Sequence, residues 1–264
     1  MIEVTGFQPI VAGFNRVGYH EYPPIRPLQP YIACFWESDK TDTSGLVVPD
    51  MCADILFMLN ADGAIASVAF AGPSDAAFES EGDGTQIFAV RFYAWALHQF
   101  VPEALVVTVN QLVDPVDLFP GFTRQLLEAL GEARANRARM VRLEAFFLKQ
   151  LEHPARKTST DFFLAMDHVL NGRSDHSEQG MLAETLLSRR QLERIFKSYL
   201  GLAPRQAEKL IRFQRAVREL SSDPYRSGAE IAVELGFHDQ AHFIKQFKRY
   251  SNHTPTEFQR RFFP

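Results

Sequence analysis

Cysteine is scarce in this chain of 264 residues, where only Cys34 and Cys52 occur, each within an apolar segment. Thiols placed in this way are expected to be buried and reduced rather than joined in a disulfide framework. A redox-sensing pair is the alternative.

No window approaches the roughly 20 apolar residues of a membrane span, and the first residues lack a basic stretch followed by an apolar core. We therefore expect a cytoplasmic protein.

Catalytic signatures are also missing, because no glycine-rich phosphate loop, G-x-S-x-G elbow or H-E-x-x-H helix occurs. The only histidines in residues 1–150 are His20 and His98, whereas a metal-dependent enzyme built on strands needs several clustered ligands. We therefore predict no catalytic residue, no metal and no cofactor. A cupin-like metal-dependent enzyme with a helical tail, or a protein-interaction scaffold, is the alternative.

Charge is unevenly distributed along the chain, although the net charge is only -4. Residues 180–264 carry 15 Lys and Arg against 9 Asp and Glu, which leaves 13 against 23 in residues 1–179. A basic C-terminal part beside an acidic N-terminal part favours a polyanion-binding module joined to a part with another role.

Short apolar runs separated by turn residues occupy the N-terminal part up to about residue 115. Their β-branched and aromatic composition predicts the strands of an antiparallel sandwich or barrel. The runs are YIACFWES, GLVVPD, ADILFML, AIASVAFAG, TQIFAVRFY and ALVVTV. Helical periodicity then predicts a helical hairpin over residues 121–151, with its turn at 134–139. The inner face of its second helix is predicted to carry Val141, Ala145, Phe146 and Leu148.

A polar segment that contains proline, residues 153–159, is predicted to be a linker. It would separate a β-rich domain of residues 1–152 from an all-α domain of residues 160–264. The predicted fold class is therefore α+β.

Two helix-turn-helix patterns occupy about residues 179–199 and 228–250. In the first, Ser188 is expected to cap the second helix. In the second, Gly236 suits a turn that needs a positive φ, and Asp239 caps the helix that follows. A helix that starts at Pro204 connects the units. Two units held apart by one rod can place their second helices in neighbouring major-groove segments, about 34 Å apart on one face of B-DNA.

Several separated segments resemble, in order and spacing, the AraC-type family of bacterial regulators. They are LAETL, SRRQLERIFKSYLGLAP, RFQRAVREL, EIAVELGFHDQAHFIKQFKRY and NHTPTEFQRRF. The resemblance covers about residues 160–262, although the first turn is one residue shorter than usual and lacks its glycine. It implies a sequence-specific transcriptional regulator that binds double-stranded DNA, with RNA polymerase as a further partner.

The N-terminal part resembles an uncharacterised sensor domain found in some members of that family. The similarity rests on Val48-Pro49-Asp50, Ala71-Gly72-Pro73 and Ala89-Val90-Arg91-Phe92. It implies a cupin-like, β-rich half that senses a small-molecule effector, with helices that form a homodimer.

Polar side chains on the outer faces of the second helices are the candidate DNA contacts. Arg and Lys donate to guanine, Gln pairs with adenine and Glu accepts from cytosine; an ordinary solvated helix face is the alternative. The candidates are Arg189, Arg190, Glu193, Arg194, Gln240, His242, Lys245, Gln246 and Lys248.

Two further sets of residues are candidate ligand sites. Trp36, Asp50 and Arg91 are candidates for an effector pocket, because Trp offers a flat wall and the charged pair can orient a polar ligand. The alternative is that Asp50 and Arg91 only stabilise the fold. His238 and His242 have the spacing of two metal ligands on a helix, but only Asp239 is near enough in sequence to be a third.

Overall fold

The computed structural model describes residues 7–10, 18–39, 45–80, 84–157, 159–171, 178–223 and 226–263. The N-terminal part contains a six-stranded antiparallel sheet in the order β1-β2-β7-β4-β5-β8 and a two-stranded sheet of β3 and β6. The strands are β1 (Tyr19–Tyr22), β2 (Ile32–Ser38), β3 (Gly45–Val47), β4 (Cys52–Leu59), β5 (Ile65–Ala71), β6 (Phe78–Ser80), β7 (Gln86–Tyr93) and β8 (Leu112–Val113).

Helices dominate the rest of the chain, which confirms the predicted α+β class. They are α1 (Pro115–Leu118), α2 (Pro120–Leu130), α3 (Asn136–Glu152), α4 (Thr160–Asn171), α5 (Glu178–Thr185), α6 (Arg189–Leu200), α7 (Pro204–Ser222), α8 (Gly228–Glu234), α9 (Gln240–Ser251) and α10 (Pro255–Phe262). None of the helices described is long and apolar enough to cross a membrane. Because α3 ends and α4 begins at the edges of residues 153–159, the domain boundary proposed there falls between two helices.

The two faces of the larger sheet differ in chemistry. Phe35, Val90 and Ile55 lie opposite one another across β2, β7 and β4, and all three are buried in a core that also contains side chains of α2 and α3. The residue after Val90 on β7 is Arg91, which lies opposite Cys34 of β2 and Asp54 of β4. Because side chains alternate between the faces of a sheet, this register puts the ionic residues on the face away from that core.

The predicted helical hairpin is present as α2 and α3, but its turn and its inner face differ from the prediction. The turn lies at residues 131–135, so Arg139 is inside α3, where it is fully buried. Its guanidinium donates to the Gly63 carbonyl oxygen and lies 5.8 Å from the centre of the Phe88 ring. Of the four apolar residues predicted to face inward, only Phe146 is buried. Because the inner face of α3 includes an arginine, the apolar periodicity of the sequence indicated the wrong buried face.

The run ALVVTV was predicted as a strand, and this is wrong. Leu105–Thr108 forms a turn of 3-10 helix in which Leu105 and Thr108 are buried while the two valines between them are exposed. The Thr108 hydroxyl donates to the Leu105 carbonyl oxygen over 2.7 Å. At Gly72 a Cβ would lie only 1.9 Å from the Thr108 carbonyl oxygen. Close approach of two backbones therefore explains the glycine of Ala71-Gly72-Pro73.

The C-terminal helices pack around α7, which contacts α4, α6, α9 and α10. Phe196 of α6, Phe213 of α7 and Phe247 of α9 are buried in one core. That core also contains Val48, Met51 and Trp95 of the N-terminal part. The two parts of the chain therefore share a continuous apolar core.

Candidate nucleic-acid interface and pocket

Each helix-turn-helix unit has a residue in the left-handed conformation just after its first helix. In the second unit it is Gly236, with φ 68°, as predicted. In the first it is Leu186, with φ 56° and a side chain 91% exposed. Ser188 follows Leu186 by two positions, whereas Asp239 follows Gly236 by three, so the first turn is one residue shorter. A leucine thus occupies a backbone conformation that normally favours glycine.

Side-chain caps fix the start of both second helices, as predicted. The Ser188 amide donates to Gln191 Oε1 over 2.9 Å, and the Gln191 amide donates back to Ser188 Oγ over 3.4 Å. Asp239 Oδ1 accepts from the His242 amide over 2.7 Å. This hydrogen bond lowers the pKa of Asp239, so the cap carries its full charge at neutral pH.

Most of the candidate DNA contacts are on exposed helix faces. On α6, Leu192 and Phe196 are buried, and every candidate is exposed: Arg189, Arg190, Glu193 and Arg194. On α9 the exposed candidates are Gln240, Lys245 and Lys248. Arg189 already has a partner, because its Nε lies 2.6 Å from Glu178 Oε1. The remaining exposed cations present two polar faces, one on each second helix.

His242 and Gln246 are half-buried instead of pointing outward. Both line a cavity of about 500 Å³ between the two units, together with Arg205, Lys209 and Arg212 of α7. We call this cavity the inter-unit groove. It was missed at the sequence level, although the spacing of three cations on one side of α7 was a usable signal.

The two histidines considered as a metal pair have different surroundings. His238 is 88% exposed as a side chain, and its Nδ1 lies 3.0 Å from Asp239 Oδ2. The His242 ring packs against Phe237, with 5.7 Å between ring centres. Within the described ranges, no group of three or more His, Cys, Asp and Glu residues could hold a metal ion.

Arg91 is the centre of a buried ionic cluster on the second face of the large sheet. Its Nε and Nη2 donate to the two oxygens of Asp54 over 3.1 and 3.3 Å. Glu21 lies 3.3 Å and Asp50 3.7 Å from the same guanidinium. The Trp36 ring centre is 5.6 Å away. The three predicted pocket residues are thus together, and Glu21 and Asp54 join them. Asp54 was not predicted as a pocket residue, although a charged side chain within the otherwise apolar strand β4 is a sequence signal for such a role.

Asp50 also stabilises the fold locally, because its Oδ1 accepts from the Cys52 amide over 3.0 Å. Burial raises its pKa to about 6, against the lowering effect of Arg91. Both thiols are buried and neither is in a disulfide, and burial raises the pKa of each. These observations agree with the structural role considered for Asp50, and with inert thiols.

A cavity of about 700 Å³ lies beside this cluster. Its described lining includes Phe7, Glu21, Cys34, Arg91 and Tyr93, but neither Trp36 nor Asp50. Arg91 therefore reaches the cavity, and the other two predicted residues contact Arg91 from outside it. Apolar walls with a few converging polar groups are typical of a small-molecule site.

The predicted linker is attached to both parts of the chain. The Ala155 backbone amide donates to the Gln99 carbonyl oxygen over 2.8 Å. Arg156 donates to Ser198 Oγ over 2.7 Å, and its guanidinium lies 4.3 Å from the centre of the Tyr199 ring. The last turn of α6 is therefore held by residues that precede the C-terminal helices.

Two further contacts connect the N-terminal part to α6 and α7. The His98 ring meets Tyr199 edge-on at 4.6 Å, and burial lowers the pKa of His98 to about 4. Gln214, buried in α7, donates to the Pro49 carbonyl oxygen over 2.6 Å. Pro49 precedes Asp50 of the ionic cluster, so a short path joins the pocket to the helix between the two units.

Comparison with known proteins bears on both parts. Residues 181–261 match a model described as a helix-turn-helix domain. The chain carries an AraC-type helix-turn-helix domain. The chain is 38% identical over 80 residues to the HTH-type transcriptional regulator MtrA of Neisseria gonorrhoeae, a match covering 30% of this chain and 26% of that protein. It is 38% identical over 71 residues to the HTH-type transcriptional regulator ArgR of Pseudomonas aeruginosa, covering 27% and 21%.

The matched part spans about a quarter of the length of these curated relatives. Outside the AraC-type domain, residues 20–114 match a domain of unknown function, DUF6597. That range contains all three segments on which the predicted sensor resemblance rests. Among solved structures, ToxT from Vibrio cholerae aligns over 94% of this chain and 100% of its own, with 11% identity and a TM-score of 0.47.

Proposed function

We propose that this chain is a sequence-specific DNA-binding regulator of transcription, controlled by a small molecule that binds in the N-terminal part. Its AraC-type domain reads DNA with α6 and α9, and the N-terminal part sets how those helices are held. No catalytic step is assigned to the chain.

One observation carries the proposal: two capped second helices, each with a buried apolar side and an exposed polar side, are joined by the single helix α7. Arg190 and Arg194 on α6, and Lys245 on α9, are exposed and have the chemistry that reads guanine. The surplus of cations in residues 180–264 supplies attraction to the phosphate backbone.

Selection of duplexes from a random-sequence library by the full chain tests this function. We expect the selected duplexes to share two short conserved blocks, with centres about one helical turn apart, because each second helix reads one major-groove segment. A protein that retains every sequence equally well, at all salt concentrations, would contradict sequence-specific regulation.

Control by a small molecule is supported by the path from the pocket to α7. A ligand beside Arg91 would shift Asp50, and the adjoining Pro49 carbonyl oxygen accepts a hydrogen bond from Gln214 of α7. A thermal-shift screen of metabolites should find a compound that raises the melting temperature, because it binds the folded state. That compound should also change DNA affinity, and its effect should be reduced in Glu21→Gln, which alters the cavity lining. A compound whose effects are equal in both proteins binds elsewhere.

A second copy of the chain is the protein partner that α3 supports. On this helix Val141 is 60% and Leu148 36% exposed. They belong to an outward stripe with the spacing of a coiled-coil seam: Ala138, Val141, Ala145 and Leu148. Val141→Asp should reduce self-association in sedimentation experiments. Val233→Asp, which changes an 81% exposed valine on α8, is the matched control and should have no effect.

A further inference from the structure

The inter-unit groove has more positive charge than its own carboxylates neutralise. Of its two carboxylates, Glu178 lies 2.6 Å from Arg189 and Glu208 lies 2.6 Å from Arg212. Arg205 and Lys209 also line the groove, so its described lining has four cations, Arg189, Arg205, Lys209 and Arg212, against two carboxylates. A concave surface with an excess of positive charge attracts anions.

Polar atoms without partners surround the same groove. Arg212 Nε, His242 Nδ1 and Gln246 Oε1 are buried and have no hydrogen-bond partner among the described residues. The amide of Gln246 can be turned so that its NH₂ group takes the position of the oxygen. Buried polar groups are normally hydrogen-bonded, so these three atoms mark the wall of the groove as polar and incompletely paired, while the groove cations offer accessible charge to an anion.

The position of the groove suggests which anion it receives. Arg189 is the first residue of α6 and His242 lies in the first turn of α9, so the groove lies between the two helices proposed to read DNA. When such helices occupy neighbouring major-groove segments, the phosphate backbone between those segments crosses the protein between them. We propose that the inter-unit groove binds a DNA backbone phosphate from that intervening stretch, through Lys209 and Arg205 of α7. This inference rests on the proposed function and gives α7 a direct part in binding.

The electrostatics of the free protein support this assignment. Burial lowers the pKa of Lys209, and the nearby cations Arg205, Arg249 and Arg212 lower it further, against the raising effect of Glu208. A charged Lys209 is thus held beside like charges at a cost to folding, which a bound phosphate would relieve.

Lys209→Gln in the full chain tests the phosphate site. DNA binding is measured by fluorescence anisotropy over a salt series, on a duplex chosen by library selection and on a random duplex. We expect affinity to fall by the same factor on both, and the slope of log affinity against log salt to become shallower by about 0.9. Lys149→Gln on α3, an exposed lysine with the same charge change, should leave the slope unchanged.

The melting temperature of the free variant adds a second readout. Because a like-charge cluster is relieved, Lys209→Gln should melt at the same temperature as the parent or higher while binding DNA less well. An unchanged salt slope in a variant that folds overturns the phosphate site. If Lys209→Gln does not fold, Arg205→Gln, at an exposed position, must show the reduced slope or the site is overturned. Failure of the unmodified chain to prefer its selected duplex would instead overturn the proposed function.

Discussion

Leu186 offers a sharp test of the turn in the first helix-turn-helix unit. A left-handed conformation costs a residue with a Cβ roughly 1–2 kcal/mol. Replacing it with glycine removes that cost but adds roughly 0.4–1 kcal/mol of unfolded-chain freedom. Since the leucine side chain is 91% exposed, little packing is lost. Leu186→Gly should therefore raise the free energy of unfolding by about 0.5–1 kcal/mol.

Urea unfolding followed by circular dichroism measures this difference, and two further variants control for its cause. Leu186→Ala removes the exposed side chain but keeps the strained backbone, so it should change stability by less than about 0.5 kcal/mol. Gly236→Ala introduces strain at the equivalent position of the second unit, where a Cβ would meet nothing within 4 Å. It should lose roughly 1 kcal/mol.

The signs of the changes in the free energy of unfolding distinguish backbone strain from exposure of the apolar side chain. A gain for Leu186→Gly beside a loss for Gly236→Ala supports the left-handed backbone at both turns. If Leu186→Ala gained as much as Leu186→Gly, exposure of the apolar side chain would be the cause, and the reasoning from backbone strain would be refuted.

Three further predictions concern the N-terminal cluster and the linker. Arg91→Met leaves buried carboxylates without a counter-charge and should lower the free energy of unfolding in urea by roughly 3–5 kcal/mol. Glu21→Gln changes a side chain that is 43% exposed and should lower it by less than about 1 kcal/mol. Similar losses for the two variants would contradict a buried cluster. Because the pKa of Asp50 rises from 3.8 to about 6 on folding, stability should fall as pH increases through that interval. Asp50→Asn should reduce this fall, and an unchanged profile would refute the assignment. Arg156→Ala should make residues 153–159 more sensitive to limited proteolysis, and unchanged cleavage would show that its contacts with α6 hold nothing in place.

Features set by neighbouring residues were predictable from the sequence. Ser188 and Asp239 cap the helices that follow them, and Gly236 takes the expected positive φ, because each depends on groups within a few positions. The two helix-turn-helix units were predictable for the same reason, whereas their AraC-type character was implied by the resemblance of several segments to that family.

Features set by residues distant in sequence were not predictable. Arg139 is buried because the Gly63 carbonyl oxygen and the Phe88 ring, far away in sequence, receive its guanidinium. Leu105–Thr108 looks like a strand by composition, but it forms a 3-10 turn close to the backbone of Gly72. Likewise, the half-burial of His242 depends on α7 and Phe237, which no pattern within α9 contains.

The most direct test of the account compares base readout with simple charge attraction. Arg194 and Lys245 are exposed on the two second helices, and each is replaced with Ala in the full chain. Binding to the library-selected duplex should weaken by roughly 1–3 kcal/mol, with little change on random DNA. Lys245→Ala should lose more discrimination, because the second turn has the regular length. Equal losses on selected and random duplexes for both variants would show that these side chains supply only charge, and would contradict the proposed recognition of sequence by α6 and α9.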